Sequence, residues 1–424
     1  MSTDPTYVDV LVVGAGPAGL AAAHALRDSA LTTLVVDGGK PVAERERDLA
    51  ADMTRGHGGA GLFSDGKFSF YPSASRLWSL PGEARLRAAY EWTCSVLGAA
   101  GLDTPPFPED PEAYAVGTGE WVLKEYPSYY LSLQARLDLS EKLVTGSGAD
   151  FLTRTEVTAL RHIAEEDRFE AELQDESGGR RTLITRRVIL ANGRFGPLGL
   201  TDLFTGRAWR RLEVGFRIEQ SAQSAFFGAM TQLDPKFRFR SEDGRVEWRT
   251  FCACREGEAV TTLTEGLWTV SGRADCPPTG RSNIGFNTRI LDEEVAKRAL
   301  TGVLRATRST TSAFNVTLDD FLAARPAADS LTEVYGEELA AFMREGVTRL
   351  AKRFPEVTAT EARLIGPTME GVGWYPEVRS DLRLVDKPAW VAGDSCGLFR
   401  GIVAAMISGH YAGAGLRAAG DAES

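Results

Sequence analysis

Residues 8–13 are an unbroken apolar, β-branched run, the pattern of a short strand buried on both faces. A glycine-rich turn follows, then an alanine-rich helical stretch over 20–27 and a second apolar strand over 34–36. The period changes further on. Residues 151–185 alternate apolar and polar positions around Ser177-Gly178-Gly179, which predicts a small antiparallel meander, and 187–193 read as a buried strand entering a turn. Alternating runs at 213–218, 245–251 and 267–271 predict a largely antiparallel sheet. Helical spacing marks 84–100, 128–145, 293–305 and 338–353. The last segment, 387–409, reads as strand, acidic turn, glycine, then helix. There is no internal repeat and no low-complexity tract.

The first βαβ unit carries the strongest chemical signal. Gly14-Ala15-Gly16-Pro17-Ala18-Gly19 stands between the first strand and the first helix, and Asp37 closes the second strand. This is the GxGxxG pattern in the context it requires. Gly14 makes the turn, Gly16 lets the backbone approach a diphosphate, and Gly19 lets helix and strand pack closely. The helix that starts at Pro17 offers free N–H groups from Ala18 onward and a partial positive charge. Asp37, with Gly38 behind it, is placed to accept from the hydroxyls of an adenosine ribose. The expected ligand is a dinucleotide.

Composition narrows the class. The chain has 424 residues, 43% of them hydrophobic and 25% charged, which excludes a disordered, fibrous or disulfide-scaffold protein. No apolar stretch reaches the roughly 20 residues of a membrane span. The formal charge of −10 argues against a nucleic-acid partner. The N-terminus lacks a basic leader, and the five cysteines are an odd number, so we expect a cytoplasmic protein with reduced thiols. Cys252-Ala253-Cys254 has no second Cys/His pair nearby, and no metal is expected.

Three further segments resemble known flavoproteins. Gly393-Asp394-Ser395-Cys396-Gly397 and Gly401-Ile402, following an apolar strand, look like the second flavin fingerprint of the glutathione-reductase-type family. The resemblance implies FAD, with Asp394 on a ribityl hydroxyl and Gly401 and Ile402 opening a helix toward the flavin N1–C2=O edge. Ala191-Asn192-Gly193 resembles that family's "ATG" segment, and Val157 would lie against the adenine. Gly56-His57-Gly58-Gly59-Ala60-Gly61-Leu62-Phe63-Ser64-Asp65-Gly66-Lys67 resembles a group of FAD-dependent, NAD(FAD)-utilising dehydrogenases, as do 250–254, 271–273 and 281–283. By that likeness Gly58, Gly59, Ala60 and Gly61 approach the cofactor, and Ser64, Asp65 and Lys67 reach its diphosphate, ribityl or flavin. The implied fold is α/β: a discontinuous Rossmann-like FAD-binding domain from 1–70, 145–205 and 362–424, a helical connection over 71–144, and a second, largely antiparallel β plus helices substrate domain over 206–361.

No second GxGxxG opens after a strand, so a duplicated nucleotide domain is not expected. A small organic substrate then reduces the flavin directly, by hydride transfer to N5, in a dehydrogenase or oxidase. The alternative is an NAD(P)H-dependent monooxygenase or reductase; the second redox partner is O2 or NAD(P)H. Candidate proton-handling residues are His57 beside the glycine loop, Glu370 in a glycine-rich stretch, and Tyr375. Each has a plain alternative: scaffold group, solvated turn acid, core aromatic. Cys252, Arg273, Arg281 and Trp374 are candidates for substrate binding, with the arginines clamping a carboxylate.

Overall fold

The computed structural model describes residues 6–110, 121–124, 126–228, 232–309, 313–359 and 361–423. In chain order the strands are β1 (Thr6–Val13), β2 (Thr33–Val36), β3 (Lys67–Ser69), β4 (Val122–Lys124), β5 (Ser128–Tyr130), β6 (Asp150–Leu152), β7 (Thr155–Ile163), β8 (Arg168–Asp175), β9 (Arg180–Leu190), β10 (Arg207–Ser221), β11 (Lys236–Arg240), β12 (Val246–Cys254), β13 (Glu258–Thr264), β14 (Leu267–Arg273), β15 (Arg281–Ile290), β16 (Phe314–Thr317), β17 (Arg363–Pro376) and β18 (Ala389–Val391). The helices are α1 (Pro17–Leu26), α2 (Glu83–Ala99), α3 (Leu133–Gly146), α4 (Ala225–Gly228), α5 (Glu293–Thr307), α6 (Leu318–Leu322), α7 (Asp329–Arg353) and α8 (Ile402–Glu423).

The chain forms two compact units. The first comprises Met1–Pro111, Tyr129–Ala208 and Tyr375–Ser424; the second comprises Glu112–Ser128 and Trp209–Trp374. The first is built on a sheet ordered β6-β2-β1-β9-β8-β7, with β18 continuing along the β8 edge of β9. β6, β2, β1, β9 and β18 run parallel, whereas β7, β8 and β9 form the antiparallel meander. Asp175 closes the β8–β9 turn by accepting from the backbone N–H groups of Ser177 and Gly179, both at 2.9 Å.

The chain's first and last helices meet backbone to backbone. A Cβ on Gly409 would stand 2.0 Å from the Ala18 carbonyl oxygen, and one on Gly413 would stand 2.5 Å from that of Ala22. Alanine and glycine at these four positions let α8 seat on α1. We therefore expect Gly409→Leu to force the helices apart, at a cost of about 3 kcal/mol or more, read as a lowered unfolding midpoint in denaturant.

In the second unit the sheet order is β16-β17-β10-β15-β12-β11-β4, and β13 with β14 forms a separate hairpin. The paired strands β10–β15, β12–β15, β11–β12 and β16–β17 are antiparallel.

Four expectations change. The 71–144 connection is not one element: α2 and α3 belong to the first unit, where Tyr411 of α8 donates to the Pro81 carbonyl at 2.7 Å, and β4 joins the second unit's sheet. The return to the first unit comes at Tyr375 and not at 362, because β17 is an interior strand of the second sheet; Glu370 and Trp374 lie in the second unit. The helix expected from 128 begins at Leu133, after Ser128–Tyr130 has paired with β3 and Ser132 has capped it by accepting from Ala135 N at 3.2 Å. Lastly, α7 starts earlier than the expected 338, and Gly336, at φ 76°, interrupts it.

Candidate functional site

In the first unit the glycines of the β1–α1 turn do different jobs. Gly14 has φ +103°, and a Cβ there would lie 2.5 Å from the Ala191 carbonyl oxygen. A Cβ on Gly19 would lie 1.8 Å from the Gly14 carbonyl oxygen. Both glycines are demanded by the protein's own packing. Gly16 is different: its Cβ position is 3.7 Å from Gly59 Cα and meets nothing nearer. Gly16 caps α1, Pro17 follows, and the helix's first turn carries no acidic residue. Its leading N–H groups are thus available to an anion.

Asp37 does more for the protein than the sequence suggests. Oδ2 accepts from Ala15 N at 2.8 Å, and Oδ1 accepts from Gly39 N and Gly56 N, each at 2.8 Å. A carboxylate offers about four acceptor positions, so about one remains where two ribose hydroxyls were expected. The carboxylate instead ties the turn after β1 to the glycine loop. That loop then crosses the head of α1. A Cβ on Gly59 would stand 2.9 Å from Gly16 Cα, and one on Gly61 would stand 3.0 Å from Ile402 Cγ1. The loop runs from the acid at the end of β2 to the first residue of α8. Gly38 lies beneath the Arg55–Glu156 ion pair, and Gly58 lies against Ser140.

The polar cluster closing the loop braces it. Ser64 Oγ donates to the Gly61 carbonyl at 2.9 Å, and Lys67 Nζ pairs with Asp65 at 3.1 Å. Buried Arg136 of α3 donates from Nη1 to the carbonyls of Leu62 at 2.6 Å and Ser64 at 3.1 Å. Sequence reading missed Arg136; an arginine inside an amphipathic helix gives no local sign that it binds a distant loop.

The C-terminal fingerprint folds as strand, turn and helix. Gly393 (φ +67°) donates its N–H to Ser408 Oγ at 3.0 Å, which pins the turn to α8. Asp394 Oδ2 accepts from Arg194 Nε at 3.3 Å and Arg400 Nε at 3.2 Å. Ser395 Oγ is buried and has no hydrogen-bond partner among the described residues. Gly401 has φ +102° with open space around it, and α8 has no acidic residue in its first turn. Gly193 (φ +74°), after Ala191 and Asn192, also faces open space. Val157 is half-buried at an irregularity between β7 and β8. Tyr375 is fully buried, and a Cβ on Gly397 would stand 2.8 Å from its ring. Its place is under the turn, as a support.

His57 lies at the Asp37 end of the loop, not at the head of α8. Its ring meets Phe151 of β6 at 5.1 Å between centroids, and its carbonyl accepts from Arg45 Nη1 at 2.6 Å. Burial holds the imidazole below its usual pKa and the Asp37 charge only partly offsets this, so the ring is neutral at pH 7. Burial also lowers Arg45, to about 10. A role for His57 at the reacting ring would need the ring system at the opposite end of the loop.

In the second unit the sheet has a buried polar face. Glu213 is 0% exposed and sits among Arg249 Nε at 2.9 Å, Arg211 Nε at 3.0 Å and Arg289 Nε at 3.0 Å, with Asn287 Nδ2 donating to it at 3.3 Å. Asn283 Nδ2 is buried with no hydrogen-bond partner among the described residues. The arginines singled out in the sequence are already engaged: Arg273 pairs with Glu258 at 2.6 Å and Arg281 with Glu219 at 2.6 Å. Trp374 packs on Trp209 at 4.7 Å and donates to Glu293 at 3.3 Å, which makes it a packing residue. Glu370 is half-buried on β17, not buried. Cys252 is half-buried at a bulge in β12.

FAD fits the first unit's features. Two helix heads without acidic residues would take its diphosphate and its ring edge, the glycines permit close approach, and the Ser395 hydroxyl lacks a partner that a polyol can supply. Comparison agrees: residues 9–44 match the family model of an FAD binding domain. Residues 9–44 are thus an FAD-binding segment, and FAD is the cofactor of the first unit. No curated protein matches it. Among solved structures it is similar to a flavoprotein/dehydrogenase from Cytophaga hutchinsonii, at 13% identity and TM-score 0.43, over 98% of this chain and 80% of that one. It is also similar to OxyS anhydrotetracycline hydroxylase from Streptomyces rimosus, at 15% identity and TM-score 0.43, over 98% of this chain and 63% of that one. A third is a geranylgeranyl bacteriochlorophyll reductase-like protein from Thermoplasma acidophilum, at 13% identity and TM-score 0.45, over 99% and 80%. This chain thus spans less than two thirds of the hydroxylase.

Proposed function

We propose that the protein is a cytoplasmic FAD-dependent dehydrogenase or oxidase of the glutathione-reductase-type, NAD(FAD)-utilising group, and that it removes two electrons from a small organic anion. When bound, FAD supplies the two-electron acceptor. The observation carrying the reading is the pair of helix heads bridged by one glycine loop, with Gly16 at one end and Ile402 at the other. The α1 head and Gly16 hold the diphosphate. The α8 head, opened by Gly401, favours negative charge at the ring edge by about 0.3–1 kcal/mol. Tyr375 keeps the Gly397 turn in place beneath it. The anionic character of the substrate rests on the second unit's polar face, where Arg211, Arg249 and Arg289 outnumber the two carboxylates that pair with them, Glu213 and Glu247. Glu370, half-buried and open to solvent exchange, takes the proton the substrate loses.

Anaerobic mixing with a panel of carboxylate-bearing amines and alcohols should bleach the flavin absorbance without any NAD(P)H. Bleaching by NAD(P)H alone, with none by the panel, would establish the monooxygenase or reductase alternative instead.

A further inference from the structure

The sequence gives Cys252 and Cys254 as positions i and i+2 of a strand, where side chains stand roughly 6.6 Å apart and parallel. The structure departs from that. The β12–β15 register shifts between Phe251 and Cys254, and Cys252 takes φ +50°, a left-handed conformation that a cysteine adopts only under constraint. The constraint is visible. Arg217 Nη2 donates to the Cys252 carbonyl at 2.6 Å. The result is that the two Sγ atoms stand 3.8 Å apart, in van der Waals contact. A disulfide would bring them to about 2.05 Å.

The surroundings distinguish the two thiols. Cys254 is 0% exposed and Cys252 is half-buried. Arg217 is itself 1% exposed, and its Nη2 donates to Cys254 Sγ at 3.5 Å, while its Nε is held by Asn283. Gly272 of the neighbouring hairpin leaves the space they occupy: a Cβ there would stand 2.3 Å from Arg217 Nη2 and 2.7 Å from Cys254 Sγ. A buried guanidinium beside one sulfur favours its thiolate.

We propose that Cys252 and Cys254 form a redox-active dithiol that exchanges with low-molecular-weight disulfides, independently of the flavin reaction proposed above. The Cys252 thiolate attacks one sulfur of the external disulfide. That S–S bond breaks, the first thiolate leaves and takes a proton, and a mixed disulfide remains on Cys252. The Cys254 thiolate, held by Arg217, then attacks the Cys252 sulfur and expels the second thiolate, which is protonated in turn. Two cysteine thiols are oxidised to one disulfide, and the external disulfide is reduced to two thiols. In reverse, an external thiolate attacks the more accessible Cys252 sulfur, and Cys254 leaves as the thiolate that Arg217 stabilises.

The test uses the full-length, flavin-loaded protein equilibrated in glutathione buffers from fully reduced to fully oxidised, then alkylated. Trypsin releases Thr250–Arg255, which contains both cysteines and no others. Its mass should pass from the doubly alkylated form to an unalkylated form lighter by two hydrogens, without a lasting singly modified species. Cys254→Ser, nearly isosteric, should instead accumulate one glutathionyl group on Cys252. Arg217→Met should slow the second exchange by about tenfold, and Arg217→Lys should restore part of the rate. A wild-type peptide that stays doubly alkylated throughout, or that ends as a stable glutathionyl adduct, overturns the proposal.

Discussion

Gly16→Ala should fold as well as the parent protein and purify almost colourless, whereas Gly19→Ala should not accumulate as folded protein. The two glycines belong to the same motif and are three residues apart, yet different partners set their constraints. At Gly16 the backbone is extended (φ −74°, ψ −179°), which alanine adopts freely, and the added methyl meets only Gly59 Cα at 3.7 Å. Alanine at a helix N-cap in place of glycine costs about 1 kcal/mol or less. The methyl does, however, occupy the approach to the head of α1, where a diphosphate must come within hydrogen-bonding distance of the backbone. A hundredfold loss of FAD affinity, about 2.7 kcal/mol, is the expected size. At Gly19 the methyl would stand 1.8 Å from a backbone oxygen, and no side-chain motion relieves that. Flavin absorbance per mole of protein and the midpoint of thermal unfolding separate the two variants. A yellow Gly16→Ala protein with full occupancy would remove the diphosphate from the head of α1.

How much of this was legible in the sequence depends on the range of the interaction. The turn after β1 and the strand–turn–helix at the C-terminus are local, so spacing placed Gly14 and Gly19, and the resemblance to a flavin fingerprint placed Gly393 and Gly401. Their packing partners, Ala191 for Gly14 and Tyr375 for Gly397, come from distant segments and left no local trace. Asp37 illustrates the same divide. Its position at the end of β2 follows from the motif, but its three backbone donors include Gly56 N from a separate loop, and that contact changes what the carboxylate has left to offer. The unit boundary at Tyr375 was hidden because β17 reads as one apolar, glycine-rich run across it.

One miss was avoidable. Glu265-Gly266, both at positive φ, form a two-residue hairpin turn between β13 and β14. Counting back from it pairs Thr264 with Leu267 and, six steps on, Glu258 with Arg273. The turn chemistry therefore announced that Arg273 faces a carboxylate of its own chain. By contrast, the arginines around Glu213 come from β10, β12 and β15, whose register no short-range rule fixes.

That cluster carries the second large effect. Glu213→Gln should lower the stability of the second unit by about 3 kcal/mol while leaving flavin binding in the first unit intact. The carboxylate is 0% exposed, and the side chains of Arg211, Arg249 and Arg289 are 22%, 14% and 15% exposed. With the charge gone, Arg211 and Arg249 lose the Glu213 carboxylate, Arg289 keeps its pair with Glu247 at 2.6 Å, and one neutral amide oxygen replaces the acceptor the three shared. Removing one partner of a buried ion pair costs about 3–5 kcal/mol, and the partial exposure of the arginines argues for the lower end. A chain of two units need not unfold in one step, so calorimetry should resolve two transitions. The expected result is a fall of about 10 °C in one of them, with the temperature of flavin release unchanged. Glu213→Asp keeps the charge on a shorter stem and should recover part of the loss, which a purely steric role for the side chain would not produce. If both transitions fall together, or if Glu213→Gln unfolds at the parent temperature, the arginines are neutralised by something other than Glu213, and the case for an anionic substrate at that face loses its footing.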